Sequence, residues 1–182
     1  MYMRAFIAID IPEELKRKAE LLENGFRMEG IALVHKDSMH ITLQFLGEID
    51  AAQAEKVIAA IKSCATKPFR LTLSEVSYFT PRLIRVIFAD ITEGRDALQR
   101  LYSKLDSALT ARSIVFEKEH GYAPHLTLAR VRRVKDMRAL RQALELNAKA
   151  ELGSFEVRSI VLKESVLTPE GHTYRDLYVL AL

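Results

Sequence analysis

The feature that most constrains this chain is a four-residue stretch that occurs twice, as His40-Ile41-Thr42-Leu43 and as His125-Leu126-Thr127-Leu128. Polar and apolar residues alternate in both copies, the pattern of a half-buried β-strand. Side chains two apart on a strand share a face. Each copy therefore sets an imidazole beside a hydroxyl on one face and two aliphatic side chains on the other, toward a core. An offset of about 85 residues superposes more than the motifs. It also relates the first helix, the second helix and the strand after it. Arg4-Ala5-Phe6-Ile7-Ala8 and Arg85-Val86-Ile87-Phe88-Ala89 match at a slightly shorter offset. Such a repeat predicts an α+β fold of two similar lobes related by pseudo-twofold symmetry, with antiparallel sheets lining a central groove and helices outside. The axis brings the two His/Thr strands face to face. No Gly-, Pro- or Ser-rich linker separates the halves, so a single bilobal domain over residues 1–182 is expected, its repeats roughly 1–90 and 91–182.

Taken in order, Arg4 to Asp10 is a short apolar strand. Pro12, Glu13 and Glu14 suit the first turn of a helix that carries Leu15, Ala19 and Leu22 and stops near Asn24-Gly25. Ile31 to Val34 is a short strand, and Met39 to Leu46 is the first His/Thr strand. Ala54, Val57, Ile58 and Ile61 follow helical spacing up to Pro68. Phe69 to Phe79 and Leu83 to Asp90 read as strands about a turn at Thr80-Pro81. Leu98, Leu101, Tyr102, Leu105 and Leu109 mark the clearest amphipathic helix. Ser113 to Glu117 reads as a strand, His125 to Val131 as the second His/Thr strand, and Met137, Leu140 and Leu144 as a helix. Phe155 to Leu167 and Tyr174 to Leu182 are strands joined at Pro169-Glu170-Gly171.

Two imidazoles across a groove divide labour, one neutral as base and one protonated as acid, because the ordinary histidine pKa of about 6.5 lets both forms exist near neutral pH. In-line displacement at phosphorus needs both at once. The base takes a proton from incoming water, and the acid gives one to the departing oxygen on the far side, a contribution of roughly 10²–10⁴-fold. The threonine hydroxyls hold the non-bridging oxygens. The scheme needs no metal and no cofactor. A single His-x-Thr is weak evidence, since such histidines are usually structural. Duplicated packing explains repeated Leu and Ile, but not repeated His and Thr on a shared face.

Zinc is the competing chemistry. His35 and His40 are five apart, as are His120 and His125. That spacing alternates faces on a strand, and neither pair has a carboxylate in register. His35 and His120 are expected at loop or strand ends, and His172 in an exposed turn. On strict alternation Gln44 shares the face of His40 and Thr42 and is a candidate to line the groove, whereas Phe45 faces the core. Tyr122 is a candidate platform for an unpaired base. Arg130, Arg132, Arg133, Lys135, Arg138 and Arg141, opposed only by Asp136, make a basic run. It suits either an RNA backbone or a plain solvated face.

A net charge of +3 and a pI near 9.0 are compatible with an anionic ligand. Cys64 is the only cysteine, which rules out an internal disulfide and suits a reducing compartment. Neither a signal peptide nor an apolar run approaching the roughly 20 residues of a membrane span is visible, so a cytoplasmic location is expected.

RAFIAIDIPEEL, HITLQFLGE, YAPHLTLARV and LKESVLTPEGHTY together resemble the bacterial and archaeal RNA 2′,3′-cyclic phosphodiesterases of the two-histidine phosphoesterase superfamily, also called 2′-5′ RNA ligases. The resemblance spans essentially the whole chain. It departs where many relatives carry a Trp before the first motif and this chain has Ile31-Ala32-Leu33-Val34. It implies hydrolysis of an RNA 2′,3′-cyclic phosphate to a 2′-phosphomonoester, with His40 as proton donor and His125 as proton acceptor. Thr42 and Thr127 would bind phosphate oxygens. Arg130 stands where the family pattern also carries an arginine and is a candidate to bind the phosphate, although strict alternation puts it on the face opposite His125 unless the strand bulges or ends there. The implied partners are RNA ends with a cyclic phosphate, such as tRNA halves, or small cyclic nucleotides; no membrane partner and a monomer are expected. Two alternatives stand beside this: reversible, ATP-independent 2′-5′ ligation of tRNA halves, and a nucleotide- or RNA-binding module without turnover.

Overall fold

The alternating segments assemble into one sheet. The computed structural model describes residues 2–80, 83–116, 121–169 and 171–182. Among them the order is β1 (Met3–Asp10), α1 (Glu13–Glu23), β2 (Ile31–Leu33), β3 (His40–Ile49), α2 (Ala51–Ser63), β4 (Phe69–Tyr78), β5 (Val86–Glu93), α3 (Arg95–Thr110), β6 (His125–Val131), α4 (Met137–Asn147), β7 (Glu151–Val157), β8 (Ser159–Thr168) and β9 (Gly171–Ala181). The helices begin where the sequence supplies caps. Asp50 accepts from the Gln53 N–H at 2.8 Å while the Gln53 side chain accepts from the Asp50 N–H at 2.9 Å, a reciprocal capping box for α2. The Asp136 carboxylate takes the Arg138 and Ala139 N–H groups at the start of α4.

The strand order is β7-β4-β5-β6-β3-β1-β8-β9, with β2 added to β6. Every neighbouring pair is antiparallel. Exchanging β3 with β6, β1 with β5, β8 with β4 and β9 with β7 leaves the order unchanged, so a pseudo-twofold axis passes between β3 and β6. The sheet does not divide at residue 90. Strands β4 and β5 of the first repeat belong with β6 and β7, while β8 and β9 of the second join β1 and β3. Two local expectations are corrected. The segment 155–167 is not one strand: it breaks at Arg158 into β7, which pairs with β4, and β8, which pairs with β1. Residues 113–116 form no strand, because Ser113 takes a positive φ of 55° in the turn that ends α3. Glu117 lies outside the described residues, as do Pro81, Glu170 and His120.

All four helices lay their apolar stripes on one face of the sheet. Leu15 and Ala19 of α1, Val57 and Ile61 of α2, Leu98 to Leu109 of α3 and Leu140 and Leu144 of α4 join Ile7, Ile9, Ile41, Leu43, Leu71, Leu73, Ile87, Ile91, Leu126 and Leu128 in a single core. The opposite, concave face is left for the groove. No helix among the described residues is long and apolar enough to cross a membrane.

The buried stripe of α1 carries a cost at its last turn, where Glu23 is only 3% exposed and its Oε1 has no hydrogen-bond partner among the described residues. Burial, reinforced by the charge of Glu20 and opposed by that of Arg27, pushes its carboxyl pKa up to about 8. A carboxyl whose pKa is higher folded than unfolded holds an extra proton in the native state. Stability is then full below the unfolded value near 4.5 and declines as pH rises toward 8. Glu23→Gln is expected to raise the urea midpoint at pH 8.5 and to leave it little changed at pH near 4. Parallel pH dependence in variant and parent would place the effect elsewhere.

Candidate active site

Strands β3 and β6 meet where Ile41 stands opposite Leu126. Antiparallel pairing carried one residue each way sets His40 across from Thr127 and Thr42 across from His125, with cross-strand Cβ atoms roughly 5 Å apart. The four polar side chains thus form a rectangle on the concave face. Their apolar neighbours Ile41, Leu43, Leu126 and Leu128 are buried in the core.

The two rings are held alike. His40 Nδ1 donates to the Ser38 carbonyl at 2.8 Å, and His125 Nδ1 donates to the Ala123 carbonyl at 2.7 Å. A carbonyl oxygen can only accept, so Nδ1 carries the hydrogen and the basic nitrogen of each neutral ring is Nε2. Their surroundings differ. His40 packs against Phe6 and Tyr174 at centroid distances of 4.7 and 5.1 Å. His125 packs against Phe79 and Phe88 at 4.9 and 5.1 Å. Burial pulls the His40 pKa down to about 4; the hydrogen bond to Ser38 and the charge of Asp10 oppose this, while the charges of Lys163 and Arg130 add to it.

Arg130 comes close enough to act on His40 because β6 bulges. Ile87 pairs with Ala129 but Phe88 pairs with Thr127, so β6 holds an extra residue at Leu128. Leu128 and Ala129 are both buried, and Arg130 emerges on the histidine face. Strand β3 repeats the device: Ile7 pairs with Gln44 and Ala8 with Thr42. Two expectations fall with it. Gln44 is turned inward and 4% exposed, so it does not line the groove, and Phe45 is 47% exposed on the groove face rather than in the core. Phe45 and Arg130 occupy equivalent places in the two halves.

Tyr122 is engaged within the protein. Its ring stacks on Tyr102 of α3 with centroids 4.0 Å apart, and its hydroxyl donates to the Thr42 carbonyl at 3.1 Å, tying the segment before β6 to β3. His35 is exposed beside Asp37 and accepts from its N–H. His172 is exposed, with Nδ1 3.1 Å from Ser165 Oγ. In the basic run, Arg132 and Arg133 are exposed beyond the end of β6, Lys135 pairs with Glu29 at 2.9 Å, and Asp136 is taken up as the α4 cap. Among the described residues no three metal-ligating side chains cluster.

Two carboxylates escaped the sequence reading. Asp10 stands opposite His40 and Asp90 opposite His125 on the flanking strands. The shared ending of FIAID and IFAD was the available signal. Neither reaches its histidine's Nδ1. Asp10 pairs with Lys163 at 3.0 Å, and Asp90 pairs with Arg95 at 2.6 Å. Lys163, 8% exposed, also holds Asp176 at 2.6 Å. Burial pulls its ammonium pKa down, but the two carboxylates outweigh that and leave it raised.

Residues 11–166 match the family model described as the 2′-5′ RNA ligase superfamily. The chain belongs to this superfamily. It is 34% identical over 173 residues to the RNA 2′,3′-cyclic phosphodiesterase of Methanocaldococcus jannaschii, covering 94% of this chain and 96% of that one. The protein of the same name from Thermotoga maritima is 31% identical over 187 residues, covering 97% and 94%. Escherichia coli LigT complexed with 3′-AMP superposes with a TM-score of 0.83 at 23% identity, over 100% of this chain and 99% of that one. A Thermus thermophilus protein superposes with a TM-score of 0.82 at 25% identity, over 99% and 98%. The curled antiparallel sheet with four helices on its outer face is thus the fold of this superfamily.

The depressed His40 pKa has a consequence for stability. The unfolded imidazole, near 6.5, takes its proton before the native one near 4, so native stability falls as pH drops through that window. His40→Gln is expected to flatten the unfolding free energy against pH between 6.5 and 4 by up to about one bound proton. An unaltered slope in chemical denaturation would show that the native ring titrates normally.

Proposed function

We propose that this protein hydrolyses the terminal 2′,3′-cyclic phosphate of RNA to a 2′-phosphomonoester by acid–base catalysis between His40 and His125. The observation that carries the reading is the rectangle on the concave face, with both rings oriented through Nδ1 and each flanked by a threonine. The names of the relatives give the substrate class. Water attacks phosphorus in line while Nε2 of His125 accepts its proton. The P–O3′ bond breaks on the opposite side, and His40 delivers a proton to O3′. The non-bridging oxygens rest on Thr42 and Thr127, and the Arg130 guanidinium offsets the negative charge. Exchange of the two protons with solvent restores the starting state. Replacing water with an RNA 5′-hydroxyl gives a 2′-5′ linkage by the same steps, a reading favoured by the name of the family model.

With its pKa lowered to about 4, His40 is neutral at pH 7 before substrate binds. As the donor it must take up a proton together with the anionic substrate, whose charge raises its pKa. The profile of kcat/KM against pH is therefore expected to be bell-shaped, with its acidic limb near 4 in the free enzyme.

The positive charge comes from side chains, so activity on a nucleoside 2′,3′-cyclic monophosphate is expected to survive excess chelator. Phosphorus NMR is expected to identify the 2′-monophosphate; a 3′-phosphate product would sink the proposed geometry. His40→Ala and His125→Ala are each expected to lose roughly 10²–10⁴-fold in kcat. On a p-nitrophenyl phosphodiester, whose leaving group needs no proton, the His40→Ala defect is expected to shrink while that of His125→Ala persists. The reverse outcome would exchange the two roles. Both imidazoles come from one chain, which supports action as a monomer. The lone buried thiol of Cys64 suits a reducing cytoplasm.

A further inference from the structure

The groove face extends past the reacting centre along β1. The extra residues between β1 and β3 lie on β3, so β1 keeps its alternation and Arg4, Phe6, Ala8 and Asp10 share the groove face. Arg4 is exposed there, at the far end of β1 from Asp10. Glu48 stands opposite it in the ladder, yet no ion pair or hydrogen bond joins the Arg4 side chain to any described residue. Arg130 is likewise without a counter-ion among the described residues.

Strand β9 reaches the same corner from the other side. In sheet order β9 lies three strands from β3, roughly 14 Å in a flat sheet. The sheet curls enough for the Tyr174 ring to meet Phe6 edge-on at 4.9 Å and His40 at 5.1 Å. Tyr174 is half-buried, and its hydroxyl has no hydrogen-bond partner among the described residues. Burial raises the pKa of this phenol, and the charges of Arg130 and Arg4 oppose the rise, so both guanidinium groups act at its position. The half containing His125 has no counterpart, because β7 is shorter than β9 and a phenylalanine, Phe79, covers that ring.

A phenol hydroxyl and two guanidinium groups without partners among the described residues, gathered at one corner, are the donors and charges that bind an anion. The reacting phosphate is already provided for by the two threonines and Arg130, which leaves Arg4 and Tyr174 for another anion. The next anion along an RNA end is the phosphodiester that joins the last nucleotide to the chain.

We propose that Arg4 and Tyr174, beside Arg130, form a second anion subsite that holds this neighbouring phosphodiester, so that the preferred substrate is the end of a polynucleotide rather than a free cyclic mononucleotide. The inference rests on the phosphodiesterase reading above and selects among the substrates it leaves open.

The test compares kcat/KM on cytidine 2′,3′-cyclic monophosphate with kcat/KM on a short oligoribonucleotide ending in the same cyclic cytidylate. Wild type is expected to favour the oligonucleotide by roughly tenfold or more. Tyr174→Phe keeps the ring against His40 and Phe6, and Arg4→Met keeps the aliphatic stem. Each is expected to reduce the oligonucleotide-to-mononucleotide ratio several-fold, and Arg4→Met to weaken the salt dependence of the oligonucleotide reaction. A packing role alone would lower both values together and leave the ratio unchanged. That result in both variants, or a wild-type ratio near one, overturns the subsite. Hydrolysis of neither substrate by the wild type overturns the phosphodiesterase reading and the subsite with it.

Discussion

The site depends on one strand register. Ile41 and Leu126 face each other across the seam between β3 and β6, both fully buried. Because side chains alternate, a slip of one residue would send both histidines into the core and both aliphatic residues to the groove. Emptying either core position costs roughly 2–5 kcal/mol, so the apolar half of each motif pins the polar half. The seam itself is short. The longer ladders β1–β3 and β5–β6 hold it from outside, and the Tyr122 hydroxyl anchors the segment before β6 to β3.

Around this seam a symmetric frame carries unlike furniture. Matched bulges turn out Phe45 in one half and Arg130 in the other. Tyr174 and the ion-pair cluster of Asp10 and Asp176 on the buried Lys163 flank His40, whereas Phe79 and Phe88 flank His125. Two imidazoles in identical settings would have equal proton affinities and no basis for opposite roles. Pairs of titratable groups take acid and base assignments when their environments separate them. The repeat supplies two rings of one orientation, and the residues behind them give each a different setting.

Much of this was legible in the sequence because the signals were local or repeated. The period-2 pattern around His40 and His125 placed both motifs on strands, and their repetition located the axis. What escaped depended on register. Alternation predicts Gln44 in the groove and Phe45 in the core, but a single inserted residue reverses both, and no side chain announces a bulge. The same reversal brings Arg130 to the histidine face. Tyr122 has the composition of a base platform, and only the fold shows that Tyr102, distant in sequence, takes one face of its ring. Asp10 and Asp90 were visible as strand endings, but their places opposite the histidines follow from strand pairing alone. The break at Arg158 was hidden by a run that stays apolar while its two parts pair with different neighbours.

The exchange of strands between the two repeats also shapes how the molecule is made. Strand β1 precedes the other strands of the sheet in the chain and finds one of its two neighbours only in β8, after β2 to β7 have been made. Until the β8–β9 hairpin emerges, that edge of the nascent sheet has unpaired backbone donors and acceptors, and His40 has no Tyr174 beside it. The other half, from β4 through β7, is contiguous and can close earlier. The pairing that completes the pocket around the first histidine therefore spans the longest stretch of chain in the sheet, and such non-local contacts are slow to form.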